Sequence, residues 1–93
     1  MEQEEFRITV YTENTVGVLN RITNIFTRRK INIESLKVAE THHKGISRFT
    51  IIANSDYPTM TKVKTNIERI VEVLKADFKG SHSDVDKELK GLI

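Results

Sequence analysis

The residues best placed to do chemistry are the run Asn14-Thr15-Val16-Gly17-Val18-Leu19, and the chemistry open to them is anion binding. The run joins an alternating segment, Phe6 to Thr12, to an amphipathic one. Asn14 fits an N-cap whose side-chain oxygen accepts a free backbone N–H of the first helical turn. The remaining free N–H groups, with the positive end of the helix dipole, favour a carboxylate or phosphate. Gly17 costs roughly 1 kcal/mol against alanine inside a helix. Its missing Cβ lets another molecule approach the backbone closely. The same residues serve equally well as a tight strand-to-helix turn with a glycine for packing, and nothing local separates the two.

Other reactive side chains offer less. His42 and His43 form a pair, but adjacent residues of a strand point to opposite faces, the chain has no cysteine, and His82 is far along it. A solvated loop outweighs a metal site there. Glu13 and Glu34 are isolated carboxylates with no identifiable partner, and no serine or histidine lies in a nucleophile motif. Arg28, Arg29 and Lys30 sit where the first helix should end, where cations complement the dipole. That reading outweighs a phosphate-contact patch. Lys62, Lys64, Glu68 and Arg69 read as a solvated face.

The elements that must carry these residues follow from periodicity. Phe6, Ile8 and Val10 alternate with Arg7, Thr9 and Tyr11, the pattern of a strand with one buried face. Val18, Leu19, Ile22, Ile25, Phe26 and Arg29 follow helical spacing. Ile33 to Glu40 is a second extended run whose parity changes between Ile33 and Leu36, which marks either a bulge or a strand buried on both faces at its start. Thr41 to Gly45 is a polar hairpin loop. Ile46 to Asn54 carries apolar groups on both faces, with Phe49, Ile51 and Ala53 on one and Ile52 on the other, so it belongs in the centre of a sheet. Asn54 to Pro58 supplies turn and cap residues for a second helix striped by Met60, Val63 and Ile67 and continued by Ile70. Val71 to Phe78 is the fourth extended run, with a boundary fixed only to within a few residues. Residues 80–93 read as a tail: Gly80 to Asp84 closes the core, and Val85 to Ile93 could be a frayed helix, an extra strand or a segment ordered in a complex.

Ninety-three residues make one small domain. Such chains bury only about 60 to 65% of their unfolded surface, so self-association is a natural way to add buried area. A net charge of +2 is too weak to argue for nucleic acid, no apolar run is long enough to span a bilayer, and the acidic start Met1 to Glu5 is unlike a signal peptide. The expectation is a cytoplasmic protein with no nucleic-acid or membrane partner. Strand, helix, strand, strand, helix, strand is the split β-α-β order of the ferredoxin-like superfold, an α+β fold with a four-stranded antiparallel sheet and two helices on one face. The first and third strands take the middle and the second an edge, which a homodimer pairing second strand to second strand would cover. An RNA-binding version needs spaced aromatics on the open face of the third strand, and Phe49 is the only aromatic in it.

With these elements in place, the chain resembles an ACT domain, and more closely the small regulatory subunit of acetohydroxyacid synthase (acetolactate synthase). The resemblance rests on Glu13 to Leu19, Ile25 to Arg29, Ile31 to Leu36, Ser47 to Ile51 and Ile70 to Leu74, covering Phe6 to about Phe78. It implies an ACT domain over residues 1–79, with no catalysis, cofactor or metal on this chain. Thiamine diphosphate, FAD and magnesium are expected on the catalytic subunit that it activates. It implies a branched-chain amino acid effector, valine first, held between two ACT domains and providing feedback. Asn14, Thr15, Val16, Gly17 and Val18 of one chain would supply part of that site, and Asn32 and Ile33 of the other the rest. An alternative implied role is an interaction module that activates its partner with no effector site.

Two positions depart from the family pattern. Glycine commonly follows the arginine pair there, ending the helix in a left-handed conformation, and an aromatic comes next; Lys30 and Ile31 stand in those places. A non-glycine residue in that conformation costs roughly 1 kcal/mol, so the helix end either differs or is less stable. Many relatives also carry a second domain, so the chain is either a short single-domain subunit or a fragment.

Overall fold

The computed structural model describes residues 3–13 and 16–80, the side chain of Val16 excepted. Its elements are β1 (Glu4–Glu13), α1 (Val16–Arg28), β2 (Ile33–Glu40), β3 (Ile46–Ser55), α2 (Tyr57–Glu68) and β4 (Val73–Gly80). The four strands form one antiparallel sheet in the order β2-β3-β1-β4. The expected topology is met, with the first and third strands central.

Alternation decides the buried face. Phe6, Ile8 and Val10 lie opposite Ala53, Ile51 and Phe49, and all six are buried. Val18, Ile22 and Phe26 of α1 and Met60, Val63 and Ile67 of α2 close over them in a single cluster. Phe49 therefore points under the helices. The open face carries Arg7, Thr9, Tyr11, Arg48 and Thr50 instead. Among the residues described on that face, Tyr11 is the aromatic one.

The ambiguous strands resolve in physical terms. Ile33 pairs with Ala53 but Ser35 with Ile52, so Glu34 is an extra residue in β2 and the parity change is a bulge. Leu36 and Val38 then stand opposite Ile51 and Phe49, on the helix-covered side of the sheet but at its edge, where they are 36% and 53% exposed. The fourth run begins two residues later than Val71. Hydrogen bonds from Ile70 N–H to Ile67 O (3.0 Å) and from Val73 N–H to Ile70 O (3.0 Å) turn the chain between α2 and β4, leaving Val71 90% exposed. Gly80, expected to open the tail, is the last residue of β4 and pairs with Phe6. The remaining tail, 81–93, lies outside the described residues.

The helix ends behave as their residues dictate. Asp56 caps α2, accepting the Thr59 N–H at 2.8 Å, with Pro58 in the first turn. At the end of α1, Lys30 adopts φ 58°. Lys30 N–H donates to Thr27 O (3.0 Å) and Ile31 N–H to Phe26 O (2.9 Å), the paired bonds of a left-handed helix stop. The helix thus ends as a glycine would end it, with lysine in the strained position, and Ile31 packs against the core.

Candidate functional site

Gly17 lies in the first turn of α1 with its backbone exposed. Among the described residues, a Cβ built there would meet Arg21 Nη2, at 3.8 Å. Its φ is not positive either, so neither backbone conformation nor packing against the described residues requires glycine. Alanine would fit and would favour the helix by roughly 1 kcal/mol. Among the described residues, nothing packed on Gly17 explains the glycine.

The other expected site residues divide. Asn14, Thr15 and the side chain of Val16 lie outside the described residues. Val18 is fully buried in the core, so only its backbone can face a ligand. Asn32 is exposed just before β2, whereas Ile33 opposite Ala53 packs against the core. Gly17 and Asn32 flank opposite ends of α1, whose 13 residues span about 18 Å. One chain does not bring them together.

Two features near these residues are not evident from the sequence. Arg21, one helical turn after Gly17, donates from Nη2 to Glu72 Oε2 at 2.6 Å. Glu72 is held against the end of β1 because its carbonyl accepts the Glu13 N–H at 2.9 Å. The Arg21 guanidinium keeps the Glu72 carboxyl below its ordinary 4.5. Glu72 Oε1 is buried with no hydrogen-bond partner among the described residues. A cation and an anion thus flank the helix start, the charge pattern complementary to a zwitterion. At the other end of α1, Asn54 Nδ2 donates to Glu34 Oε1, which gives Glu34 the partner it lacked in the sequence reading. Both line a cleft of about 410 Å³ with Asn32, Lys30 and Asp56. Glu34 faces this cleft through the β2 bulge, and no linear spacing rule would have paired it with Asn54, 20 residues away.

The described residues offer no alternative chemistry of comparable definition. His42 and His43 are exposed in the β2–β3 loop. No group of three or more His, Cys, Asp or Glu among the described residues could hold a metal ion. No described helix is long and apolar enough to cross a membrane.

Comparison with known proteins bears on the fold and family. Residues 8–75 match the family model of the AHAS small subunit-like ACT domain. The chain is 34% identical over 89 residues to the probable acetolactate synthase small subunit of Methanothermobacter thermautotrophicus, covering 96% of this chain and 53% of that protein. It is 39% identical over 82 residues to the acetolactate synthase small subunit of Aquifex aeolicus, covering 88% and 43%. The crystal structure of the acetolactate synthase small subunit from Thermotoga maritima superposes with a TM-score of 0.70 at 32% identity, over 78% of this chain and 45% of that one. The chain spans about half the length of these relatives. On the strength of the family match across both central strands and both helices, it belongs to the AHAS small subunit-like ACT domains.

Proposed function

We propose that this chain acts as a non-catalytic regulatory subunit of acetolactate synthase, activating a catalytic subunit that carries thiamine diphosphate, FAD and magnesium. It senses a branched-chain amino acid, valine first, between two copies of itself. The observation that supports this reading is that Gly17 and Asn32 lie at opposite ends of α1. β1 and β2 both run antiparallel to β3, so they point the same way; β1 ends where α1 begins, and β2 begins at the far end of α1. A two-fold axis pairing β2 with a second β2 reverses one copy end for end. The partner's Asn32 end is thereby carried to the Gly17 end of the first copy. Leu36 and Val38, exposed on the edge strand, supply the apolar seam.

Chemistry then assigns the contacts. The effector's carboxylate takes the free N–H groups at the start of α1. Its ammonium meets Glu72 Oε1 and the amide oxygen of Asn14 or of Asn32 across the interface. Its branched side chain lies beside Val16 or Ile33. Burying an isopropyl group contributes roughly 2 kcal/mol. Sub-millimolar affinity needs more than about 4 kcal/mol, so charge-assisted hydrogen bonds of about 1.5–3 kcal/mol each supply the rest.

Calorimetric titration of the purified dimer with valine, leucine and isoleucine tests the sensing. Binding of at least one, weakened by Gly17→Asp, is expected, because a carboxylate at the helix start repels that of the effector. Absence of heat and of any thermal shift with all three would refute it, leaving an interaction module without an effector.

A further inference from the structure

Between α1 and α2, which run antiparallel, the second half of α1 and the end of α2 line an open groove of about 620 Å³. Arg28 and Arg29 line one wall and Arg69 the other, over a floor of Ile25, Ile70 and Val71; Arg21 reaches its end. Each arginine near a helix terminus is explained singly by the helix dipole. Their convergence is not. Lysine complements a dipole equally well, and the chain has nine lysines to six arginines, yet the four cations lining this groove are all arginine. Arg21 is matched by Glu72, whereas no ion pair engages Arg28, Arg29 or Arg69 among the described residues. Val71, which also lines the groove, is 90% exposed.

Guanidinium is the group that grips carboxylates through two parallel hydrogen bonds, and arginine is enriched at protein interfaces where lysine is depleted. A small inorganic anion would have no use for the three-residue aliphatic floor. A polypeptide segment with carboxylates flanking two or three apolar side chains would satisfy both parts of the groove. We propose that this groove docks an acidic amphipathic segment of the catalytic subunit. The inference rests on the regulatory-subunit reading for the identity of the partner, and on charge and exposure for the surface.

The test titrates the purified catalytic subunit with full-chain variants, with circular dichroism and mass measurements confirming fold and oligomeric state. Arg28→Glu/Arg29→Glu/Arg69→Glu should lower the affinity by about a hundredfold or more, and the milder Arg28→Gln/Arg29→Gln/Arg69→Gln by about tenfold, in the range of desolvated interfacial charge pairs. Arg7→Glu/Arg48→Glu/Lys79→Glu, the same charge change on the open sheet face, should cost less than about threefold, as screened charges outside the interface do. Affinity of the wild type should fall with salt. Should the glutamate variant fail to fold, the glutamine variant decides. Wild-type affinity in the groove variants, or an equal loss in the sheet-face control, overturns the docking surface. A valine-binding wild type that forms no complex with the catalytic subunit overturns the docking and the partner assignment together. A complex lost on arginine substitution, with no heat from valine, supports the docking and removes only the sensing.

Discussion

Lys30 offers the cleanest separation of sequence departure from structural consequence. Its φ of 58° places a side-chain-bearing residue in the left-handed region, and both hydrogen bonds that stop α1 depend on that conformation. The left-handed region costs an L-residue about 1–2 kcal/mol, and glycine escapes this. Glycine also widens the unfolded ensemble, which takes back about 0.4–1 kcal/mol. Lys30→Gly should therefore exceed Lys30→Ala in stability by about 0.5–1 kcal/mol. Alanine is the right reference because both variants lose the cation near the helix C-terminus, which itself contributes about 0.3–1 kcal/mol. For a domain of 93 residues the difference amounts to about 2–8 °C in melting midpoint. Urea unfolding followed by far-ultraviolet circular dichroism measures it, at one fixed protein concentration because a dimer's stability depends on concentration. Lys30→Val should fall below both, a β-branched side chain being least tolerated at positive φ. The reasoning is refuted if Lys30→Gly is no more stable than Lys30→Ala with the urea slopes unchanged.

Leu36→Asp/Val38→Asp should dissociate the proposed dimer: covering these partly exposed side chains on both copies contributes about 3–5 kcal/mol in all, or about 150- to 4,000-fold in the dimer constant by light scattering. Glu72→Gln should weaken valine binding by about tenfold to a hundredfold in calorimetry, the loss expected for a charge-assisted hydrogen bond to the ammonium; unchanged affinity would remove Glu72 from the site. The carboxyls of Asp56 and Glu72 are held below 3.8 and 4.5 by the Thr59 bonds and by Arg21 respectively. Each contributes stability that is present above its unfolded value and lost as pH falls through its folded one. Asp56→Asn, which keeps a capping oxygen without titrating, should flatten the fall in melting midpoint below about pH 4. Phe26→Ala, emptying a fully buried ring site, should cost about 3–5 kcal/mol and abolish cooperative unfolding in a marginal domain.

What the sequence made legible is what depends on periodicity and local chemistry. Phe6, Ile8 and Val10 declare a one-sided strand, Met60, Val63 and Ile67 a helix stripe, and Asp56 with Pro58 a helix start. Each is decided within a few residues and confirmed in the fold. The bulge at Glu34 left a parity change in the sequence, but choosing it over a doubly buried strand required the partner strand. The ends of β4 were hidden because Ile70-Val71-Glu72-Val73-Leu74 alternates as a strand does, while hydrogen bonds to Ile67 and Ile70 bend its first part into a turn. Arg21–Glu72 and Glu34–Asn54 were out of reach for another reason. They join residues 51 and 20 positions apart, and side-chain pairing across elements has no linear signature.

The same separation between local and distant explains why α1 matters most. Its first turn carries Gly17, its middle holds Val18, Ile22 and Phe26 in the core, and its last turn presents Arg28 to the groove before Lys30 delivers Asn32 to β2. In the proposed dimer one helix therefore borders the effector site of its own chain, the docking groove, and the half-site lent to the partner. A close-packed core resists continuous deformation, so a displacement of α1 at its start is carried to its end. An effector that favoured one position of α1 would change the setting of Arg28 and Arg29 against Arg69. A coupling of about 1–3 kcal/mol, ordinary for linked sites, would change affinity for the catalytic subunit by about 5- to 150-fold. Linkage demands the reverse as well: the catalytic subunit must shift the chain's affinity for valine by the same factor. Titrating valine into the free dimer and into the complex measures both sides of that equality.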